Sequence, residues 1–328
     1  MSNTEIAPPE VHCAPGGAAP QVEVLTPRAV PLGGPRAMSV RRTLPQRQRS
    51  LVGAWCFVDH YGPDDTSASG GMDVPPHPHT GLATVSWLFT GEVEHRDSLG
   101  VHAIVRPGEL NLMTAGHGIA HSEVSTPGTT VLHGVQLWVA LPEHARDAPR
   151  DFAHHVPAPV TLEGATVRVF LGDLAGASSP VVTTTPLLGA ELLVDAGARL
   201  ALDVDPAFEH GLLVDGGRVA LQGQPLGPGE LGVVDPGPRR LEITAADGRA
   251  RLVLLGGPPF GEQIVMFWNF VGRSHEEIVA FREAWEAGSE RFGEVEGYVA
   301  RDGRRGAAAR LPAPALPNAT IRPRGNPR

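Results

Sequence analysis

The stretch Pro76-His77-Pro78-His79 carries two histidines separated by one residue, and His121-Ser122-Glu123 repeats that spacing 42 positions after the second histidine. In a β-strand, residues i and i+2 point to the same face, roughly 6.5–7 Å apart, and a neighbouring strand lies about 4.8 Å away. Two such pairs on facing strands can enclose one ion, because first-row metals take imidazole nitrogen and carboxylate oxygen ligands at about 2.0–2.2 Å. The pattern predicts a metal site with the ligands His77, His79, His121 and Glu123.

The residues between the two pairs favour this interpretation over a solvated strand face, which a single His-x-His would also fit in a chain with 14 histidines. An apolar strand is predicted at 85–89, before Gly91, and the turn Pro107-Gly108 leads into another at 110–113. No stretch between the pairs has the convincing 3.6-residue period of an amphipathic helix. The two pairs are therefore expected on adjacent strands of a small antiparallel β-barrel.

Five motifs in this region resemble those of the pirin family, which is part of the cupin superfamily. They are FVDHYGP at 57–63, PHPHTGL at 76–82, HRDSLG at 95–100, MTAGHGIAHSE at 113–123 and HGVQLWV at 133–139. A weaker similarity to pirins continues through the C-terminal half to about residue 275.

The resemblance implies an all-β fold, a bicupin made of two tandem antiparallel cupin β-barrels, with one mononuclear metal ion in the N-terminal barrel. In pirins that ion is an iron bound by three histidines and one glutamate, and His77, His79, His121 and Glu123 fall on the matching positions. Fe(II) is therefore the expected cofactor. The mixed nitrogen and oxygen donors leave Mn, Ni, Co, Cu and Zn open, since affinity order alone does not select among them.

Four protein ligands would leave two positions of an octahedral ion free, which favours an oxygenase that takes a small aromatic substrate and dioxygen. Pirins are associated with quercetin 2,3-dioxygenase activity, so the resemblance implies a dioxygenase acting on a flavonol or another enolic aromatic compound. In that hypothesis Glu123 is also catalytic, as the general base for an acidic substrate hydroxyl. The alternative, also attached to pirins, is a non-enzymatic metal- or redox-sensing regulator that binds a partner protein.

Two departures from the family pattern concern the predicted site. Cupins often carry an acid four or five residues after the second histidine, where this chain has Ala83 and Thr84, so Glu123 is the acidic ligand candidate. Many pirins carry Arg where this chain has His117. We expect His117 to line the entrance of the pocket.

Other polar residues near the motifs are expected to support the site rather than bind the ion. His60 is expected to hold a turn through hydrogen bonds, with Asp59 as a partner for it or for a ligand imidazole. His95 and Asp97 are candidates for contacting the ligands from outside.

The chain divides into six predicted segments. A lead rich in Pro, Gly and Ala at 1–20 is expected to be disordered, and the N-terminal metal-binding barrel spans 21–141, a linker 142–159 and a C-terminal barrel without metal 160–272. His210 is the lone histidine of that second barrel, and we interpret it as a satisfied structural residue.

The last two segments are a helix at 273–290 and an Arg/Pro/Ala-rich tail at 291–328. Ser274 and Glu277 form a capping-box pattern at the start of the helix, a stripe of apolar residues follows at three- and four-residue spacing, and Gly288 can end it. Within this tail, residues 301–328 carry seven Arg against one acid, Asp302, and are predicted to be solvated and disordered, with a binding arm for an acidic partner as the alternative.

Composition supports these assignments. A chain of 328 residues with 41% hydrophobic residues can form more than one core, and 40 Gly and 32 Pro favour turns between strands.

Cys13 and Cys56 are too few for a disulfide framework, and the start has no signal-peptide pattern, so the cytoplasm is expected. No run of 18 apolar residues predicts a membrane span, and a net charge of −9 argues against nucleic acid as a partner. The sequence has no G-x-S-x-G motif of serine hydrolases, no P-loop motif, and no G-x-G-x-x-G at a strand-helix junction, as dinucleotide-binding enzymes have.

Overall fold

The structure is a computed structural model that describes residues 21–31 and 39–326, so the predicted disordered lead at 1–20 lies outside the described residues. The strands of the N-terminal half, in chain order, are β1 Val22–Leu25, β2 Arg28–Pro31, β3 Ser39–Leu44, β4 Trp55–Asp65, β5 Asp73–His79, β6 Leu82–Thr90, β7 Val93–Asp97, β8 His102–Val105, β9 Leu110–Thr114, β10 Ile119–Ser125, β11 Val131–Ala140 and β12 Asp151–His155. A short helix, α1 Thr66–Ser69, follows β4.

The first barrel consists of two antiparallel sheets. One has seven strands in the order β12-β9-β6-β11-β4-β3-β2, and the other has four in the order β5-β10-β7-β8. Strand β7 alternates between buried and half-buried residues, as expected where one face meets the core and the other meets solvent. Most of β6 is buried on both faces, because the second barrel covers its outer face.

The strands of the C-terminal half are β13 Val160–Leu162, β14 Ala165–Leu171, β15 Asp173–Leu174, β16 Ala177–Ser178, β17 Leu188–Val194, β18 Arg199–Asp203, β19 Glu209–Gly216, β20 Val219–Leu221, β21 Gln224–Leu226, β22 Leu231–Val234, β23 Arg240–Ala245, β24 Ala250–Gly257, β25 Val265–Phe267 and β26 Phe270–Gly272. Ten of them, with β1, form a seven-stranded sheet, β1-β22-β19-β24-β17-β14-β13, and a four-stranded sheet, β18-β23-β20-β21, which together make the second barrel. The pairs β15-β16 and β25-β26 form separate two-stranded sheets. The predicted two-barrel, all-β architecture is confirmed.

The two barrels share a hydrophobic core. Trp87 of the first barrel stacks on Phe170 of the second, with ring centroids 4.6 Å apart. Trp55 is fully buried and donates its indole N–H to the carbonyl oxygen of Gly256 at 3.1 Å. Because these aromatic side chains bury large apolar areas across the interface, the barrels form one packed unit.

The barrel boundaries differ from the predicted ones at two places. Strand β1 pairs with β22 of the second barrel, with Val22 opposite Val234, although the prediction assigned residue 21 onward to the first barrel. Strand β12, within the predicted linker at 142–159, pairs with β9 of the first barrel. Both are short edge strands, and periodicity predicts that such a strand exists without predicting its partner.

The predicted C-terminal helix is confirmed as α2 His275–Glu286. The hydroxyl of Ser274 accepts a hydrogen bond from the amide of Glu277 at 3.2 Å, and Ile278, Phe281 and Trp285 are buried. The carboxylate of Glu277 accepts from the amide of Arg273 at 2.6 Å, one residue before the position expected in a capping box. No helix among the described residues is long and apolar enough to cross a membrane.

The prediction of a disordered tail at 301–328 is wrong for residues 301–326, although most of these residues are exposed as predicted. This segment contains a 3-10 helix, Gly306–Ala309, and buries Ala309 and Ala313. The residues just before it, Phe292, Val295 and Tyr298, pack against α2 and the first barrel. The Tyr298 hydroxyl donates to Asp73 at 2.8 Å. The buried residues at 291–326 are single aromatic and aliphatic side chains within a Pro- and Gly-rich stretch, and no periodic pattern predicts their burial.

Candidate metal centre

Strands β5 and β10 bring the two sequence pairs together. They pair antiparallel, with His77 opposite His121 and His79 opposite Ile119. The register shifts between His121 and Glu123, where a bulge places Glu123 opposite Val74. The extra residue of this bulge lies on β5, between Val74 and His77, whereas β10 pairs with β7 in regular register, so His121 and Glu123 project from the same face of β10.

The three histidines form a compact buried group. His77, His79 and His121 are 6%, 1% and 1% exposed, and their ligand atoms lie within 4.8 Å of one another. The Nε2 atoms of His79 and His121 are 3.1 Å apart. That separation is close to the one expected of two cis ligands, each about 2.1 Å from a common ion.

Hydrogen bonds fix the orientation of two of these rings. The Nδ1–H of His77 donates to the carbonyl oxygen of Pro75 at 2.9 Å, and the Nδ1–H of His79 donates to that of Asn269 at 3.1 Å. Because a carbonyl oxygen can only accept, Nδ1 carries the proton in both rings, and each Nε2 presents its lone pair to the centre of the group.

Burial keeps the three imidazoles neutral. Desolvation lowers the pKa of His77 to about 4 and holds the pKa values of His79 and His121 well below the usual range for histidine. Neutral imidazole is the form that binds a metal ion, so the group is ready for a ligand role at neutral pH. The donor set therefore fits a single first-row metal ion.

Glu123 lies in the wall of the same cavity and is buried, but it is not part of the close group of three histidines. Burial raises the pKa of its carboxyl group, and the nearby His95 opposes that rise. Its role as a fourth ligand remains a prediction.

The cavity in front of the histidines has a volume of about 390 Å³. Its aromatic wall contains Phe57 and Trp138, which stack with ring centroids 4.0 Å apart, and Trp138 meets His79 edge-on at 5.1 Å. The other lining residues are Arg42, Pro45, Val74, Gln136, Met266, Trp268, Asn269 and Leu311.

Part of this wall comes from distant segments of the chain. Met266, Trp268 and Asn269 belong to the β25–β26 hairpin that follows the second barrel, and Leu311 belongs to the tail. Trp268 has a φ of +52°, an unfavourable conformation for a non-glycine residue that the packing around it must stabilise. Sequence reasoning missed these residues because nothing in their local pattern indicates a return to the first barrel.

Asp59 partners Arg42, contrary to the expectation that it supports His60 or a ligand imidazole. Two hydrogen bonds of 2.6 and 2.7 Å join the guanidinium to the fully buried carboxylate. The guanidinium also lies 4.2 Å above the Phe57 ring. This pair holds Arg42 in the cavity wall as a fixed cation.

His60 lies in a second group, at the interface between the barrels. The Nε2 atoms of His60 and His133 are each 2.6 Å from Oδ1 of Asp215, which belongs to the second barrel. Arg41 places a guanidinium nitrogen 3.0 Å from Nε2 of His60. A guanidinium at that position disfavours a metal ion, so we interpret this group as a hydrogen-bonded contact between the barrels.

His117 does not line the cavity. Its backbone amide donates to the carbonyl oxygen of Ala148 at 3.0 Å, which docks the turn, and its half-exposed imidazole faces Asp147 at 3.7 Å. The turn therefore directs this side chain into solvent instead of toward the pocket entrance.

His210 in the second barrel is buried, as expected, but it is not satisfied. Neither ring nitrogen has a hydrogen-bond partner among the residues that the structure describes. Burial lowers its pKa to about 4, so the ring is neutral at pH 7.

Residues 37–139 match the family model described as Pirin, and residues 189–293 match the model described as the Pirin C-terminal cupin domain. A Pseudomonas aeruginosa protein with the provisional name quercetin 2,3-dioxygenase is 45% identical over 89% of this chain and 90% of its own length. A pirin-like protein of Caulobacter vibrioides is 36% identical over 76% of this chain and 88% of its own length.

The crystal structure of quercetin 2,3-dioxygenase from Acinetobacter baumannii is similar to this one, with a TM-score of 0.85 and 38% sequence identity. The match covers 92% of this chain and 97% of that chain.

Proposed function

The chain belongs to the pirin family, and from this premise we propose that it is a metal-dependent dioxygenase acting on a flavonol or another enolic aromatic substrate. The observation that carries the proposal is the group of three buried histidines, His77, His79 and His121, at the wall of a cavity of about 390 Å³. That volume lies within the range of small-molecule sites, roughly 300–1,000 Å³.

In this proposal the three imidazoles hold one ion, Fe(II) in the first instance, with Mn, Ni, Co, Cu and Zn as other candidates. A bound first-row metal supplies Lewis acidity toward a substrate oxygen and, if redox-active, electron transfer to dioxygen. Glu123 is proposed as the fourth ligand and as the general base that takes the proton of an acidic substrate hydroxyl. Its burial supports that role, because a raised pKa makes the carboxylate a better proton acceptor.

The remaining wall residues bind and orient the substrate. Trp138 and Phe57 offer a flat apolar surface beside the histidines, which suits a planar aromatic ring. Arg42, fixed by Asp59, places a positive charge in the same wall and would attract the deprotonated oxygen of an enol or phenol. Trp268 and Leu311 add apolar surface to the wall and help to exclude water.

Two of the similar proteins carry the name quercetin 2,3-dioxygenase, which supports the proposed activity. The alternative of a regulator that binds a partner protein needs the same ligands. A substrate-sized cavity in contact with the three histidines favours catalysis over that alternative.

The proposal is tested by measuring dioxygen consumption with quercetin, using protein loaded separately with Fe(II), Mn(II), Ni(II) and Cu(II). We expect turnover with at least one metal, and no turnover for metal-free protein or for His121→Ala. The matched control is His117→Ala, which removes an exposed histidine outside the cavity and should keep full activity. A full metal site that consumes no dioxygen with quercetin or other enolic aromatics would favour the regulator.

A further inference from the structure

Strand β7 lies beside β10 on the side away from β5, and its buried face carries two titratable residues, His95 and Asp97. Their side chains are 4% and 2% exposed. Register places Asp97 opposite His121 and His95 opposite Glu123. Because opposite residues of paired strands project from the same face of the sheet, both residues lie beside the histidine group, on the side of β10 away from β5.

Two side-chain contacts link Asp97 to His95 and His95 to His121, which is a predicted metal ligand. Oδ2 of Asp97 lies 3.1 Å from Nε2 of His95, and Nδ1 of His95 lies 3.4 Å from Nδ1 of His121. Phe152 packs against the His95 ring with centroids 5.1 Å apart, which limits its rotation. His121 thus differs from His77 and His79, whose Nδ1 atoms face backbone carbonyl oxygens.

Proton positions along this chain follow from the acceptors. Oδ1 of Asp97 accepts from the backbone amides of Leu99 at 2.9 Å and Val101 at 3.1 Å, so the carboxylate is fixed with Oδ2 toward His95. An ionised carboxylate can only accept, so Nε2 of His95 carries a proton, and in the neutral ring Nδ1 is then an acceptor. His121 must therefore donate from Nδ1, which leaves the lone pair of its Nε2 facing His79.

We infer that Asp97 and His95 are positioning residues that fix the proton of His121 on Nδ1 and so make its Nε2 available to a metal ion. The inference rests on the proposed metal site. The pair does for His121 what the carbonyl oxygens of Pro75 and Asn269 do for the other two rings. Partners of this kind set the tautomer and basicity of a ligand, and their loss typically weakens metal binding about 10- to 100-fold.

Asp97→Asn directly tests the direction of the hydrogen bonds that link Asp97, His95 and His121. The two backbone amides need an acceptor, so the Asn oxygen takes the place of Oδ1 and the NH₂ group faces His95. His95 must then accept at Nε2 and donate from Nδ1, and His121 must accept at Nδ1 and carry its proton on Nε2. The shape of the site is kept while the lone pair for the ion is lost.

Variants at His95 provide an independent test. His95→Gln retains one acceptor and one donor about 2.2 Å apart, close to the separation of the two ring nitrogens, and should preserve the chain. His95→Leu fills the same space without hydrogen bonds and should break it. Glu94→Gln makes the same chemical change as Asp97→Asn on the solvent-facing side of β7, where Glu94 meets His102 and Arg96, and is the matched control.

The experiment measures Zn(II) affinity by competition with a chromophoric chelator, together with long-range ¹H–¹⁵N spectra of the histidine rings in the Zn(II)-loaded protein. We expect His95 protonated on Nε2 in the wild type, an affinity about 10- to 100-fold lower in Asp97→Asn and His95→Leu, and nearly wild-type affinity in His95→Gln and Glu94→Gln. If Asp97→Asn fails to fold, the comparison of His95→Gln with His95→Leu decides.

Wild-type affinity in Asp97→Asn or His95→Leu, or a His95 proton on Nδ1 in the loaded wild type, overturns the inference while leaving the metal site intact. A wild-type protein that binds no Zn(II) and no other first-row ion overturns the metal site itself, and the positioning role with it.

Discussion

Glu123 follows His121 by two residues on the same face of β10, but only His121 belongs to the close group of three histidines. The carboxyl group is buried in the cavity wall outside the close group of histidines, and burial raises its pKa. A raised pKa favours proton uptake, whereas a ligand role alone would require only the ionised form. Metal binding by Glu123 and proton transfer to Glu123 can therefore be tested separately.

Glu123→Gln should lower dioxygenase activity far more than it lowers metal affinity. Gln keeps the size of the side chain and an oxygen donor but cannot take up a proton, and loss of a general base costs about 10²- to 10⁴-fold in rate. Dioxygen consumption and metal titration of the same preparation measure the two effects. Equal losses of activity and affinity would reduce Glu123 to a ligand.

His210 gives a pH-dependent prediction. Its folded-state pKa of about 4 lies below the usual 6.5, because burial disfavours the charged ring. The unfolded chain takes up this proton as the pH falls below 6.5 and the folded chain does not, so stability is lost between pH 6.5 and 4, by roughly 3 kcal/mol in total. At pH 7 the neutral ring carries no such penalty.

His210→Leu should remove this loss, since Leu fills the space without unpaired nitrogens. The free energy of unfolding of the variant relative to the wild type should rise as the pH is lowered from 7 to 4, measured by urea denaturation across that range. His117→Leu, at an exposed position, serves as the control. A difference independent of pH would contradict the assignment.

The residues that could be predicted are those whose spacing maps onto a strand. His77 and His79 share one face of β5 because of the period of two, and the matching pair at 121 and 123 predicted that a neighbouring strand brings His121 to them. Arg42 and Asn269 reach the site through tertiary contacts that no local pattern encodes. His117 was misplaced because the docking of its turn on Ala148 decides which way it points.

Helix α2 was predictable as an element because its cap, apolar stripe and terminal glycine agree with one another. What the helix packs against was not predictable. Trp285 donates its indole N–H to the carbonyl oxygen of Leu311 at 2.8 Å, and the guanidinium of Arg310 lies 3.6 Å from its ring centroid. The helix therefore holds the tail, and the tail contributes Leu311 to the cavity.

Trp285→Ala should lower the free energy of unfolding by about 3–5 kcal/mol, because it removes a buried aromatic side chain and leaves a cavity. Glu283→Ala, at an exposed position of the same helix, should change it by less than about 0.5 kcal/mol. Urea denaturation measures both. Equal stability of the two variants would mean that the tail does not pack on α2.

At the scale of the whole molecule, Asp215 links the two barrels. Although burial alone would raise its pKa, hydrogen bonds from His133 and His60 lower it well below the usual value. The carboxylate stays ionised and accepts from both rings, with Arg251 at 3.7 Å as a further positive neighbour. The two-barrel architecture could be predicted from the sequence. This contact could not, because it depends on how the two barrels are placed relative to each other.

Asp215→Ala should destabilise the protein by about 3–5 kcal/mol, because it leaves buried donors and positive charge without their acceptor. Asp195→Ala removes an acid of the second barrel that pairs with Arg249 in solvent, and should cost at most about 1 kcal/mol. Urea denaturation compares them. A mild effect of Asp215→Ala would show that apolar packing alone joins the barrels.

We propose that the group of His77, His79 and His121 supports dioxygenase chemistry. Mass spectrometry of the quercetin products formed by the metal-loaded protein under ¹⁸O₂ tests this directly. We expect both ¹⁸O atoms to enter the product in the wild type, and His121→Ala to form no labelled product. Unlabelled product, or labelling that persists in His121→Ala, would contradict it.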